Sequence, residues 1–163
     1  MTENKPGYGV PAYQELRART GFEFLSDIRD GVLPQVPIGS RLDFRLTEVR
    51  EGEVVFEGTP TRAIYNPLGT VHGGWYGTLL DSCMSCAVQS MLPPGIGYTT
   101  VEYSVNLVRP ITVDTGTVRA EGKIVHLGRR MATAEGRLVA RDGKLLAHGT
   151  TTCMIMALPE NGA

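Results

Sequence analysis

The sequence predicts an α+β domain in which an antiparallel sheet wraps one long buried helix, and three observations carry that prediction. From Ala63 to Val101 the only Asp, Glu, Lys or Arg is Asp81, whereas charges recur every few residues elsewhere. After Pro93-Pro94-Gly95 the apolar period falls to two and stays there to Met156. The turns between those alternating runs are short, which implies antiparallel pairing. A chain of 163 residues fits one domain and is long enough to bury a real core.

Taken in order, residues 1–10 are polar and rich in Gly and Pro, a composition expected to fray. Tyr13 to Arg19 reads as a short helix stopped near Gly21. Phe22, Leu25 and Ile28 mark a second helix, ended by Gly31. Val32 to Gly39 reads as an extended, Pro-punctuated connector. From Arg41 the period becomes two: Leu42, Phe44 and Leu46 alternate with polar residues, Glu51-Gly52 turns, and Val54, Phe56 and Gly58 return. Asn66 to Val71 is loop. A helix starts near His72-Gly73-Gly74, runs to about Met91 and is ended by Pro93-Pro94. It is apolar nearly all round, so it is buried. Four long strands follow, within 101–107, 118–127, 131–141 and 145–156, with Asp142-Gly143 as a hairpin signal. The expected organisation is an N-terminal extension over 1–40 and a single domain over 41–158.

Composition narrows the function classes. A net charge of −1 gives no general drive toward nucleic acid or an anionic membrane. No apolar run approaches the roughly 20 residues that span a bilayer. The first residues lack an apolar signal core, so the expected location is cytoplasmic. Three cysteines, Cys83, Cys86 and Cys153, are not a disulfide framework. Cys83 and Cys86 fall mid-helix among apolar residues and read as core rather than as a zinc or redox pair. No metal or redox cofactor is implied.

Asp81 is a carboxylate set in an apolar stretch, which is costly unless something there needs it. The series Asn66-Pro67-x-Gly69-x-Val71-His72-Gly73-Gly74, with Asp81 eight residues after Gly73, resembles the hotdog-fold acyl-CoA thioesterases of the phenylacetate-degradation (PaaI-like) type. Val105 to Pro110, His126 to Arg130 and Gly143 to Ala147 are similar to the same family's later strands, so the resemblance covers roughly residues 40–156. It implies a hotdog fold, thioester hydrolysis with coenzyme A entering only as part of the substrate, and a homodimer, often a homotetramer built from two dimers.

The residues themselves carry a chemical reading beside that resemblance. A thioester hydrolase needs an activated water or nucleophile and a donor for the carbonyl oxygen. Asp81 is the candidate base or nucleophile. The Gly73 N–H, in the helix's first turn, is the candidate donor. Asn66 is placed to hold the carbonyl or the water, and Ser85, one turn beyond Asp81, to support the carboxylate or substrate. His72 reads as a capping residue whose backbone, with Gly74, lies by the substrate. Arg109, Gly128, Arg129 and Arg130 read as one local cluster for the coenzyme A phosphates. Trp75, Tyr76, Met84 and Tyr98 are candidate acyl-pocket residues, which leaves medium-chain and aryl groups both open.

Eight helical residues separate Gly73 from Asp81 by about 12 Å. One carbonyl cannot lie within about 3 Å of both. If both act on one thioester they come from two chains, which predicts a two-fold dimer with paired sites. A dehydratase or hydratase built on His72, and a non-catalytic acyl-CoA binding protein, are the competing readings.

Overall fold

The computed structural model describes residues 7–160. Its elements are α1 (Tyr13–Ala18), α2 (Gly21–Arg29), α3 (Pro37–Leu42), β1 (Phe44–Arg50), β2 (Glu53–Gly58), α4 (Gly73–Gln89), β3 (Ile96–Leu107), β4 (Val118–Leu127), β5 (Met131–Ala140) and β6 (Leu145–Ala157). Six strands form one antiparallel sheet in the order β1-β2-β4-β5-β6-β3. The expected α+β class and hotdog architecture are both present. Turns at Gly52 (φ 77) and Gly143 (φ 82) use the left-handed backbone that glycine adopts without penalty.

Helix α4 lies along the inner face of the sheet, and Leu79, Leu80, Cys83, Met84, Ala87 and Val88 are fully buried there. Its seat is bare backbone. Gly122 of β4 pairs with Gly136 of β5, and Gly136 pairs with Gly149 of β6, so three glycines form a row across the sheet. A Cβ on Gly122 would overlap the Cys83 backbone, and one on Gly136 would press on the Met84 side chain. The helix therefore sits closer to the sheet than side chains would allow.

The N-terminal helices complete this core. Thr20 and Glu23 form a capping box at the start of α2. The Gly21 N–H donates to the Leu92 carbonyl just beyond α4 (2.8 Å), and Leu25 and Ile28 are buried. One expectation is corrected here. The connector ends in α3, and Arg41 and Leu42 belong to that helix, so β1 begins at Phe44. Pro37 stands at the helix start, where its missing N–H costs nothing.

The two edges of the sheet differ. On β1, the buried Gln35 side chain accepts from the Leu46 N–H (3.0 Å) and donates to the Leu46 carbonyl (3.3 Å). It thus occupies the place a neighbouring strand would take. On the other edge, β3 runs 12 residues and leaves Val101 52%, Tyr103 46% and Leu107 52% exposed. A long apolar edge is a template for strand pairing. Gln35→Ala is expected to destabilise the fold by about 2 kcal/mol, through buried backbone groups left without partners. Thermal unfolding is expected to show a Tm about 5 °C lower; an unchanged Tm would dismiss the edge-capping role.

Candidate active site

The loop from Asn66 to Val71 delivers the start of α4. Asn66 organises that loop: its Oδ1 accepts from the Leu68 N–H (2.9 Å) and the Thr70 N–H (3.3 Å), and its Nδ2 donates to Thr70 Oγ1 (3.0 Å). Its amide is thus engaged within its own loop, where holding a carbonyl or water had been expected. His72 caps the helix, its Nδ1 accepting from the Gly74 N–H (2.9 Å). Among the described residues the Gly73 N–H donates to nothing, so a bare donor stands at the positive end of the helix dipole.

Gly73, Gly77, Asp81 and Ser85 recur every four residues and form one stripe along α4. Strand β3 runs against that stripe in the opposite sense. A Cβ on Gly73 would lie 3.1 Å from Leu107 Cδ1, and one on Gly77 would lie 3.3 Å from Tyr103 Oη. Thr100 Oγ1 donates to Asp81 Oδ1 (3.0 Å), and the Tyr98 hydroxyl donates to Ser85 Oγ (3.1 Å). Ser85 is therefore held by Tyr98, with no bond to the carboxylate. Asp81, Thr100, Val101, Glu102 and Tyr103 line an open hollow of about 430 Å³ at the β3 edge.

Asp81 is half-buried. Burial pushes its carboxyl above the usual carboxylate value, and the Thr100 hydroxyl pulls it part of the way back. The nearby thiols are held protonated: burial drives Cys83 well up and Cys86 to about 12. All three cysteines are free, with Cys83 and Cys153 buried.

The expected acyl-pocket set is largely core. Trp75 Nε1 donates to the Leu42 carbonyl (2.8 Å), Tyr76 to the Arg109 carbonyl (3.1 Å), and Met84 packs over Gly136. Only Tyr98 stands beside the stripe. The expected cation cluster is also divided within the chain. Arg109 follows the end of β3, with its Nη1 donating to the Leu145 carbonyl (2.6 Å). The Gly128-Arg129-Arg130 turn lies at the opposite end of the sheet, where the Arg130 carbonyl accepts from Ile155, the partner of Tyr98 in the ladder. Arg109 lies eleven positions along the chain from Tyr98, about 35 Å at the usual strand rise. On the outer face of the sheet a polar groove holds its own ion pairs, Arg119–Glu48 (2.8 Å) and Lys123–Glu53 (3.0 Å).

A sequence model of the Thioesterase superfamily matches residues 68–147, the span from the loop before α4 into β6. No curated protein matches the chain at a significant level. Among solved structures, a putative thioesterase related to phenylacetic acid degradation, from Ralstonia eutropha JMP134, is 29% identical over 80% of this chain and 98% of its own, with a TM-score of 0.72. The Escherichia coli PaaI protein from the phenylacetic acid degradation operon shares the fold at 21% identity over 74% of this chain and 84% of its own (TM-score 0.67). A hypothetical thioesterase from Streptococcus pneumoniae TIGR4, solved with coenzyme A, shares it at 23% identity over 70% and 86% (TM-score 0.63). The fold is the hotdog fold of these structures, and the superfamily match spans the central helix and the strands after it. The chain thus resembles the PaaI-like hotdog thioesterases, in fold throughout and in sequence over residues 68–147. Among the described residues no helix is long and apolar enough to cross a membrane.

Proposed function

We propose that this protein is an acyl-CoA thioesterase in which Asp81 acts as general base or nucleophile and the Gly73 N–H polarises the thioester carbonyl. One observation carries the reading. A free helix-start donor and a half-buried carboxylate share one stripe of α4, and that stripe opens on the β3 edge. With Asp81 as base, the oxygen of a water bonds to the carbonyl carbon while its proton passes to the carboxylate. The C–S bond then breaks and the thiol of coenzyme A leaves with the proton. With Asp81 as nucleophile, the carboxylate bonds to the carbonyl carbon and the C–S bond breaks to release the coenzyme A thiolate, after which water opens the mixed anhydride to the free acid, restores the Asp81 carboxylate and leaves its proton on the thiolate.

The reading includes a two-fold dimer paired along β3. Leu107 marks the level of Gly73 and Thr100 that of Asp81. A dyad near Tyr103 and Ser104 would set Leu107 opposite the partner's Thr100. Each Gly73 N–H would then approach the partner's Asp81. The same dyad would bring Arg109 toward the partner's Gly128-Arg129-Arg130 turn, gathering across the interface the cations that one chain keeps apart. Those arginines suit the phosphates of coenzyme A, the ligand held by the Streptococcus pneumoniae structure of the same fold. His72 has its Nδ1 engaged in capping the helix, which favours hydrolysis over a histidine-based dehydration.

The test is hydrolysis of short, medium, long and aromatic acyl-CoAs by the wild type and Asp81→Asn. The wild type is expected to turn over at least one class, with the variant about 1,000-fold slower. Equal, slow hydrolysis of every substrate by both would remove the enzyme reading.

A further inference from the structure

We propose that the Tyr103 ring limits the length of the acyl group, as a stop set between the two sites of the dimer. The inference rests on the thioesterase reading above and names the acyl groups that its site admits. A bulge brings the ring into place. In the β3–β6 ladder Thr100 pairs with Cys153 and Glu102 with Thr152, which leaves Val101 as the extra residue. Plain alternation from Thr100 would turn Glu102 toward α4. With the extra residue, Tyr103 faces α4 instead, opposite the buried Thr151. The tip of its ring lies over Gly77, where a Cβ would stand 3.3 Å from Tyr103 Oη and 3.5 Å from Cε2. The lack of a side chain at 77 is what lets the ring reach the helix.

Gly77 stands midway between Gly73 and Asp81, four helical residues or about 6 Å from each. In the proposed dimer those two levels belong to different sites, because each Gly73 works with the partner's Asp81. The stripe along one helix therefore runs from one site to the other, and Tyr103 stands across it. The direction of the acyl group follows from the two ends of the substrate. Arg109 and the partner's Gly128-Arg129-Arg130 turn suit the coenzyme A end, on the side of the thioester away from the dyad, so the acyl group points toward the dyad. Leu107 Cδ1, 3.1 Å from where a Cβ of Gly73 would stand, closes the way beneath it. An acyl group whose carbonyl meets the Gly73 N–H thus has about 6 Å of stripe before the ring. A short chain or a single ring suits that length, whereas a long chain would have to pass Tyr103 into the second site. Tyr103 also lines the hollow that holds Asp81, and it is exposed in the single chain, so it belongs to the cleft and not to the core.

The test is the ratio of kcat/KM for dodecanoyl-CoA to that for the better of butyryl- and benzoyl-CoA, measured in the wild type, Tyr103→Val, Tyr103→Phe and Asp81→Asn. The wild type is expected to disfavour dodecanoyl-CoA by at least about tenfold, the least that one misfitting methylene costs. Tyr103→Val keeps a residue that suits a strand and removes the ring. It is expected to raise the ratio by at least about tenfold. Tyr103→Phe, which keeps the ring, is expected to leave the ratio within about threefold of wild type, less than the effect of one methylene. An unshifted ratio in Tyr103→Val would overturn the proposal, as would a wild type that takes dodecanoyl-CoA equally well. A Tyr103→Phe ratio raised as far as that of Tyr103→Val would also overturn it, because the effect would then lie in the hydroxyl. Sedimentation checks that each variant keeps the wild-type assembly, and should Tyr103→Val lose it, Tyr103→Leu carries the same expectations. Asp81→Asn separates the two levels: full activity there defeats the underlying reading, whereas an inactive Asp81→Asn beside an unshifted Tyr103→Val defeats the Tyr103 role alone.

Discussion

Two inactive variants, Asp81→Asn and Gly73→Pro, are expected to recover about a quarter of the wild-type rate when denatured and refolded together, as the proposed two-fold dimer with sites shared between its chains requires. Gly73→Pro is chosen because it removes only the N–H. Gly73 is the first residue of α4, where proline is favoured. His72 already holds the extended conformation (φ −63, ψ 138) that a following proline requires. A Cβ added at Gly73 would meet only the flexible end of Leu107. Each variant alone is expected to lose at least about 100-fold in kcat, the usual effect of removing an oxyanion donor. In a mixed dimer, one site combines the intact Gly73 of one chain with the intact Asp81 of the other. Its second site has neither. Random reassortment makes half the dimers mixed, each with one working site of two. If the mixture stays inactive while a wild-type control refolds fully, shared sites are ruled out. Sedimentation of the active wild type as a monomer would do the same.

Gly122→Ala is the second large expected effect, and it acts on the fold. The added methyl would overlap the Cys83 carbonyl, which is helix backbone and cannot turn aside. The cost is expected at about 3 kcal/mol or more, the upper range of overpacking. Gly136→Ala meets the Met84 side chain instead, which has rotamers to move into. It is expected to cost about 1 kcal/mol. Urea unfolding of both variants measures the difference. Equal stabilities would show that the glycine seat does not hold α4.

Much of the fold was legible because its signals were local. A charge-free run closed by Pro93-Pro94 located α4 to within two residues of its observed C-terminus at Gln89. Glu51-Gly52 and Asp142-Gly143 marked the hairpins. Pro37 misled because a proline that opens a helix and one that ends a segment look alike until the next turn is known. The site was legible on the helix and much less so on the strand. Asp81 and Gly73 stood out by charge and by the helix start. Thr100 did not, because one extra residue at Val101 reverses the period-two pattern without altering composition. The misplaced acyl pocket has a related cause: a helix apolar all round carries no signal for which face is open. Trp75, Tyr76 and Met84 were read as lining when they are core. Nor does nearness in sequence order tell which end of a sheet an arginine occupies, and that is why Arg109 and Arg129 seemed to lie together.

The close seat of α4 on Gly122 and Gly136 makes the two walls of the cleft unequal in what they can become. At Cys83 the helix wall rests on the bare backbone of Gly122, so it cannot move toward the sheet there without rebuilding β4. The strand wall is an edge whose Val101, Tyr103 and Leu107 are exposed in the single chain and would lie in the seam of the proposed dimer. On the proposed thioesterase reading, the catalytic carboxylate is anchored to the rigid wall and the subunit contact to the exposed one.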